Sequence, residues 1–184
     1  MPRARAITTP LNFKKSAAVI KTLAVTLTAA FALTGCSKYQ MTVNETVVYT
    51  PPTVLTDFDT EDPRLKDCLD QTIKDLQATD LAQVTQLICS HAGLSSLKGL
   101  EAFYNIQRLN LGNNQLTELE PIKYLSKLEV LLLNDNQLVK TPELLNLPKL
   151  TRVSLDNNPA MECGDAHQLQ RISSAEVTLP NQCR

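Results

Sequence analysis

Apolar residues recur in the second half of this chain with a period of 22 residues. The phrase RLNLGNNQL at 108–116 has a companion, VLLLNDNQL, at 130–138, and RVSLDNNPA follows at 152–160. A phrase that returns this often in a short chain indicates architecture rather than an active site. The repeats start at Val84, Ile106, Leu128 and Leu150, with a partial fifth repeat at Ile172.

Each repeat contains two successive spacings of apolar residues. The third and fifth residues after each start are apolar, and a period of two predicts a strand that turns these residues inward. They are Leu87 and Cys89, Leu109 and Leu111, Leu131 and Leu133, Val153 and Leu155, and Ala175 and Val177. After each strand the spacing becomes three, the period of a 3₁₀ helix, and we expect it to continue through Ala160, Cys163, Ala166 and Leu169 to Ile172. Each repeat is therefore predicted to be one coil of a solenoid.

The pattern L-x-x-L-x-L-x-x-N-x-L over about residues 84–179 resembles the leucine-rich repeat family, and its 22-residue form resembles the internalins. The resemblance implies an α/β solenoid with a parallel sheet on the concave side and 3₁₀ helices or loops on the convex side. Residues 84–184 would hold about four and a half repeats and a C-terminal cap. Three features depart from the pattern: Ala92 replaces the asparagine of the first repeat, Thr141 and Pro142 disturb the third return, and the fifth repeat is incomplete.

The first 35 residues have the pattern of an export signal. They contain five basic residues, no acidic residue and an apolar run too short to span a bilayer. The ending Leu33-Thr34-Gly35-Cys36 resembles the lipobox of bacterial lipoproteins, which implies cleavage before Cys36 and acylation of that cysteine. We therefore expect a protein lipid-anchored in the cell envelope. In such lipoproteins the residue after the cysteine helps to sort between membranes, and Ser37 is not the aspartate associated with retention in the inner membrane. The resemblance therefore implies the outer membrane, with the domain facing the periplasm or the exterior. The alternative is an ordinary cleaved signal in which Cys36 has no special role.

The mature chain would begin with a spacer and a cap. Residues 36–62 show no helical period and include a Pro51-Pro52 pair, so they are predicted to form a lipidated flexible tether, with at most one unpaired strand in MTVNETVVY. At Asp62, an N-cap residue followed by proline predicts a helix, and residues 63–83 are predicted to form a helical cap over the first repeat. The alternative is an amphipathic helix for a partner. In the cap helix, the residues expected to face the first repeat are Leu65, Cys68, Leu69, Ile73 and Leu76.

The four remaining cysteines predict two disulfides. An even number in an exported protein allows three pairings. Because neighbouring coils stack about 4.8 Å apart, Cys89 and Cys163 would lie about 15 Å from each other, beyond the reach of a disulfide. We predict that Cys68 pairs with Cys89 and Cys163 with Cys183, each pair joining adjacent layers at one end of the solenoid. Metal binding is disfavoured because no C-x-x-C occurs.

The second, fourth and sixth residues after each repeat start are predicted to line the concave face. An apolar centre at Val130 and Leu132 would lie between Arg108 and Arg152, a composition common at binding hot spots. The opposing interpretation is that isolated exposed apolar residues carry no function. The remaining members of the candidate face are Gln86, Ile88, Ser90, Asn110, Gly112, Asn134, Ser154 and Asp156.

Charge and motifs argue against several function classes. Removal of the signal leaves 13 basic against 19 acidic residues, which disfavours nucleic acid and anionic lipid as partners. No cofactor, metal or catalytic motif is recognised. Only His91, Asp135 and Asp156 offer a loose set of titratable groups, and we do not expect an enzyme. The asparagines Asn114, Asn136 and Asn158 are predicted to satisfy turn backbone between coils.

We therefore predict a monomeric, membrane-anchored envelope lipoprotein that binds a protein or an envelope polymer on its concave sheet. One alternative is a structural or assembly role in the envelope without a discrete ligand. The resemblance to internalins raises host-cell adhesion as another alternative, although repeat architecture does not determine function.

Overall fold

The structure, a computed structural model, describes residues 54–184 together with the backbone of two short strands. These strands, β1 (Met41–Val43) and β2 (Thr46–Tyr49), pair antiparallel. In MTVNETVVY we expected at most one unpaired strand, which would be marginal. The structure differs, because the two strands in this segment supply each other's backbone partners. The chain divides into two compact units, residues 1–52 and 53–184, and the second unit contains the repeats.

The second unit is built around a parallel sheet of five three-residue strands. They are β3 (Gln86–Ile88), β4 (Arg108–Asn110), β5 (Val130–Leu132), β6 (Arg152–Ser154) and β7 (Glu176–Thr178). Each strand pairs with the next strand in the chain, so the sheet order follows the sequence. The middle residues Leu87, Leu109, Leu131 and Val153 are all buried, as the period of two predicts. The α/β solenoid and its parallel sheet are thereby confirmed.

The first three returns between the parallel strands are short 3₁₀ helices, as the period of three predicts. They span Leu100–Ala102, Glu120–Tyr124 and Pro142–Asn146, and two further 3₁₀ helices lie before β3 (Leu81–Gln83) and after β7 (Asn181–Cys183). The expected disturbance of the third return is absent. Pro142 occupies the first helical position, where its missing N–H and restricted φ are tolerated. Thr141 is buried, and its N–H donates to Asp165 Oδ2 at 2.9 Å, so the chain remains in register.

The cap helix α1 (Pro63–Leu76) begins where the sequence predicts. The Asp62 side chain accepts the N–H of Arg64, and Pro63 is the first helical residue. Leu65, Leu69 and Ile73 are buried, but Leu76 is 54% exposed and does not face the core as expected. The helix ends immediately afterwards, because Gln77 adopts the left-handed conformation and redirects the chain.

Residues 54–62, predicted to be the end of the tether, pack against the repeats. The Phe58 and Phe103 rings meet edge to face with centroids 5.3 Å apart, and the Leu55 N–H donates to the Ala78 carbonyl at 2.9 Å. Phe58 is buried by this contact. The folded unit therefore begins before the predicted cap boundary at residue 63.

The last return differs from the prediction. Residues Cys163–Ile172 form an α-helix, α2, instead of a 3₁₀ helix, and both Ala160 and Ile172 are exposed. An α-helix rises about 1.5 Å per residue and a 3₁₀ helix about 2.0 Å, so the α-helical return needs more residues to cover the same height. Accordingly Val153 pairs with Val177, 24 residues later, and not with Ala175. The inward residues of the last coil are Val177 and Leu179.

Two disulfides join the ends of the solenoid to their neighbouring layers. Cys68 of α1 bonds to Cys89, directly after β3, with Cα atoms 5.8 Å apart. Cys163 at the start of α2 bonds to Cys183 near the C-terminus, with Cα atoms 5.4 Å apart. These are the two pairs that the sequence predicts.

Candidate binding surface

The three repeated asparagines form a buried ladder between coils. Asn136 accepts the Leu116 N–H at 3.1 Å and donates to the carbonyls of Leu111 at 2.9 Å and Leu133 at 3.1 Å. Asn114 and Asn158 make equivalent contacts. Each side chain reaches back to the coil before it. The asparagines therefore satisfy buried backbone groups, as predicted.

This arrangement also explains why the first repeat has Ala92 at the ladder position. The coil that would precede it is replaced by the cap, so an asparagine there would have no earlier strand to bridge.

A second column of polar residues has a conformational cause that the sequence analysis missed. It consists of one residue from each of four repeats, directly before the ladder position. All four adopt the left-handed backbone conformation, in which asparagine, aspartate and histidine are enriched. Their φ angles are 59° at His91, 58° at Asn113, 58° at Asp135 and 53° at Asn157. Recurrence of these residue types at one repeat position was the signal in the sequence. The column is a turn requirement, which accounts for its polarity without a ligand.

The titratable groups near this column are engaged in hydrogen bonds and ion pairs. Asp135 accepts hydrogen bonds from Asn134 at 2.7 Å and from Asn157 at 2.8 Å, and these bonds lower its pKa below the usual value. Asp156 forms an ion pair with Arg184 at 2.7 Å. Of the loose set of His91, Asp135 and Asp156, the two aspartates are thus held by local structural partners.

The predicted concave residues occupy three columns on the face opposite the buried middle residues. The first column is Gln86, Arg108, Val130 and Arg152, and the second is Ile88, Asn110, Leu132 and Ser154. Ser90, Gly112, Asn134 and Asp156 follow the strands. Gly112 is buried, and a Cβ atom there would lie 2.9 Å from Asn134 Oδ1, so this glycine makes room for the asparagine of the next coil.

The N-terminal half of this face is apolar and contains a charged group without an ion pair. Ile88 of β3 is 56% exposed, and Val130 and Leu132 of β5 are half-buried. Among residues 54–184 the structure shows no ion pair for Arg108. A cavity of about 190 Å³ is lined by Gln86, Leu87, Ile88, Arg108, Leu109, Asn110, Val130 and Leu132.

The C-terminal half of the face differs, because its charges are neutralised within the chain. Arg152 Nε lies 3.0 Å from Glu176 Oε2, and Asp156 is paired with Arg184. The longer fourth repeat causes the first contact, since it aligns Glu176 with Arg152 across the strands. The two arginines that the sequence places on either side of the apolar centre are therefore not equivalent.

A second cavity, missed by the sequence analysis, lies between α1 and β3. Its volume is about 530 Å³, and the exposed Leu76 and Ile88 both face it. We call it the cap groove, and it is lined by Cys68, Gln71, Thr72, Asp75, Leu76, Thr85, Gln86 and Ile88. The helical period assigned Leu76 to the core. In the structure α1 ends at Leu76, whose exposed side chain lines this groove.

Two further properties concern the part of the chain that the structure describes. There, no three His, Cys, Asp or Glu side chains form a group that could hold a metal ion. No helix in this part is both long and apolar enough to cross a membrane. The predicted lipidation site Cys36 lies outside the described residues.

Together, the parallel sheet, the 3₁₀ returns and the asparagine ladder define a leucine-rich repeat solenoid. No family model matches the chain. Among solved structures, an internalin (inlF) of Listeria monocytogenes is similar with a TM-score of 0.57 and 24% identity, over 65% of this chain and 36% of its own. Internalin C2 (inlC2) of the same species has a TM-score of 0.56 and 22% identity, over 65% of this chain and 55% of its own. This likeness shows the fold, and the chain spans only part of the length of both proteins.

Proposed function

We propose that this protein is a lipid-anchored protein of the cell envelope whose leucine-rich repeat domain binds another protein on its concave sheet. The observation that carries the proposal is the composition of the N-terminal half of the concave face. It combines an exposed Ile88, half-buried Val130 and Leu132, and an Arg108 without an ion pair among the described residues. Apolar anchors beside arginine are the composition favoured where proteins bind.

The proposed anchor rests on the sequence alone. The lipobox-like Leu33-Thr34-Gly35-Cys36 would place acyl chains on Cys36, and two such chains give stable anchoring at about 0.8 kcal/mol per buried methylene group. Because the folded unit begins at residue 53, residues 37–52 would separate the domain from the membrane.

A binding role fits the chemistry of the face better than catalysis does. Of its charged residues, Arg152 and Asp156 are held in ion pairs with Glu176 and Arg184. General acid–base catalysis needs a titratable group placed to exchange protons with a substrate. The N-terminal half instead presents apolar and amide side chains around one guanidinium, which suits recognition.

Crosslinking in intact cells followed by purification of the protein tests both parts of the proposal. The binding variant is Leu132→Arg, which places a charge among the apolar residues that line the sheet cavity. Its control is Tyr104→Arg, which places the same charge on an exposed residue in the loop between β3 and β4. A third variant, Cys36→Ala, removes the proposed lipidation site.

We expect the wild type and Tyr104→Arg to crosslink to the same protein in the membrane fraction, and Leu132→Arg to lose it while its thermal melting is unchanged. The Cys36→Ala protein should leave the membrane fraction. Identical crosslinks in Leu132→Arg and the wild type would contradict the binding role. Retention of Cys36→Ala on membranes would contradict the anchor.

A further inference from the structure

The cap groove and the cavity on the sheet form one trough. Gln86 and Ile88 line both, so the two spaces meet at β3. The trough extends from α1 across β3 to β4 and β5, and we call it the N-terminal trough. A surface of this length suits an extended segment of a partner better than a single side chain.

The middle of the trough is apolar. Leu76 and Ile88 are 54% and 56% exposed, and both face the cap groove. Single exposed apolar residues are ordinary on a protein surface, but Ile88 also lines the sheet cavity together with the half-buried Val130 and Leu132 of β5. An apolar side chain of the occupant would displace water from Leu76 and Ile88.

The trough carries opposite charges on the two sides of β3, with Asp75 on α1 and Arg108 on β4. Arg108 lines only the sheet cavity, and Asp75 lines only the cap groove. Both side chains are exposed. Asp75 Oδ1 accepts a hydrogen bond from Gln71 Nε2 at 2.7 Å, and this bond leaves the charge of the carboxylate in place. Because opposite charges at an interface determine orientation and exclude wrong partners, this polarity selects one arrangement of the occupant.

We propose that the N-terminal trough binds an extended segment of a partner protein in which an apolar residue lies between a basic and an acidic residue. The basic residue would lie against Asp75, the apolar residue against Leu76 and Ile88, and the acidic residue against Arg108. This inference rests on the proposed function and specifies its partner. It also predicts that Arg152, although it lies on the same face, contributes little, because Glu176 already neutralises it.

Selection of a displayed library of random twelve-residue peptides on the purified full-length protein tests the proposal. The probes are the wild type, the two charge reversals Arg108→Glu and Asp75→Lys, and the Leu132→Arg variant described above. The controls are Arg152→Gln on the same face and Lys149→Glu, an exposed cation in the segment before β6. All variants are first compared by thermal melting to verify that they fold; the charge reversals and the two controls change exposed side chains, and Leu132 is half-buried.

We expect the wild type and both controls to enrich peptides with an apolar residue flanked by one basic and one acidic residue. Each reversal should weaken binding of a wild-type peptide by about tenfold or more, as expected for the loss of a charge pair at an interface. The Arg108→Glu protein should enrich peptides in which a basic residue replaces the acidic one. The Asp75→Lys protein should enrich peptides in which an acidic residue replaces the basic one.

Three results would overturn the inference. Peptides that bind without charge preference, yet are lost in Leu132→Arg, would refute the stated chemistry while leaving the proposed function intact. Absence of enrichment over Leu132→Arg would contradict both. Dimerisation of the wild type that both charge reversals abolish would assign the trough to a second copy of the chain.

Discussion

At the residue scale, Asp62 connects the cap to the first repeat with a single carboxylate. Its Oδ1 accepts the Arg64 N–H at 2.9 Å, which caps α1. Its Oδ2 accepts the N–H of Ser95 at 2.8 Å and also hydrogen bonds with the Ser95 hydroxyl and the Ser96 N–H. The residue is only 5% exposed. The sequence identifies the helix cap, but the second set of contacts, more than 30 residues away in the chain, arises only from folding.

We predict that Asp62→Ala lowers the free energy of unfolding by about 1.5 to 3 kcal/mol, the range for hydrogen bonds to a charged group. The control Asp57→Ala removes an exposed carboxylate from the same segment and should change stability little. Chemical denaturation at pH 7 measures both. Equal, small effects in the two variants would show that the Asp62 contacts do not hold the cap.

The same carboxylate should make stability depend on pH. Burial alone would raise the pKa of Asp62, but its hydrogen bonds with Ser95, Arg64 and Ser96 outweigh burial and hold the pKa below its usual value. Since the pKa is lower in the folded state, the contribution is present above the unfolded value and lost as pH falls through the folded value. The stability difference between wild type and Asp62→Ala should therefore shrink below about pH 4. A difference that stays constant with pH would contradict this assignment.

At the scale of elements, the replacement of a 3₁₀ return by α2 changes which residues meet on the sheet. A strict period of 22 would place Ser174 beside Arg152, whereas the α-helical return places Glu176 there. The resulting ion pair neutralises one of the two arginines predicted to flank the apolar centre. A change in the height per residue of one convex element thus alters the charge of the concave face.

The first return depends on a glycine whose backbone has no room for a side chain. Gly99 has a φ of +100°, and a Cβ atom there would lie 2.2 Å from the Asp59 carbonyl oxygen. The adjacent Lys98 carbonyl accepts the Glu61 N–H at 3.2 Å, so the segment before α1 lies directly on this turn. Any side chain at position 99 would push that segment away.

We predict that Gly99→Ala destabilises the protein by more than about 1 kcal/mol, because the conformation and the space both exclude alanine. The matched control is Gly164→Ala in α2, where a Cβ atom would meet nothing within 4 Å. That change should be neutral or stabilise by about 0.4 to 1 kcal/mol. Thermal and chemical denaturation give both values, and a reversed order of the two variants would contradict the prediction.

At the scale of the whole repeat unit, each coil contacts mainly its neighbours, so the terminal coils are the weak points. The N-terminal coil is covered by α1 and held by the Cys68–Cys89 disulfide. The C-terminal coil is held by the Cys163–Cys183 disulfide and by the Arg184–Asp156 ion pair. The two disulfides therefore stabilise the terminal coils, each of which lacks a neighbouring coil on one side.

We predict that the double variant Cys163→Ser and Cys183→Ser loses about 2 to 4 kcal/mol of stability. Hydrogen exchange should show that β7 and α2 lose protection first, while β3 to β5 keep theirs, because coupling passes only between adjacent coils. The control, Cys68→Ser with Cys89→Ser, should loosen the opposite end. Uniform loss of protection along the solenoid in both variants would contradict the view that each disulfide stabilises only its own end.

The sequence by itself determined the repeat, the inward residues of four coils, the start of α1, the asparagine ladder and the cysteine pairs. These features depend on short-range periodicity or on the constant spacing of coils, which a one-dimensional pattern contains. Tertiary structure alone decided the exposure of Leu76, the α-helical last return, the alignment of Glu176 with Arg152 and the second role of Asp62. Each depends on where distant segments meet, and the 22-residue period carries no information about those contacts.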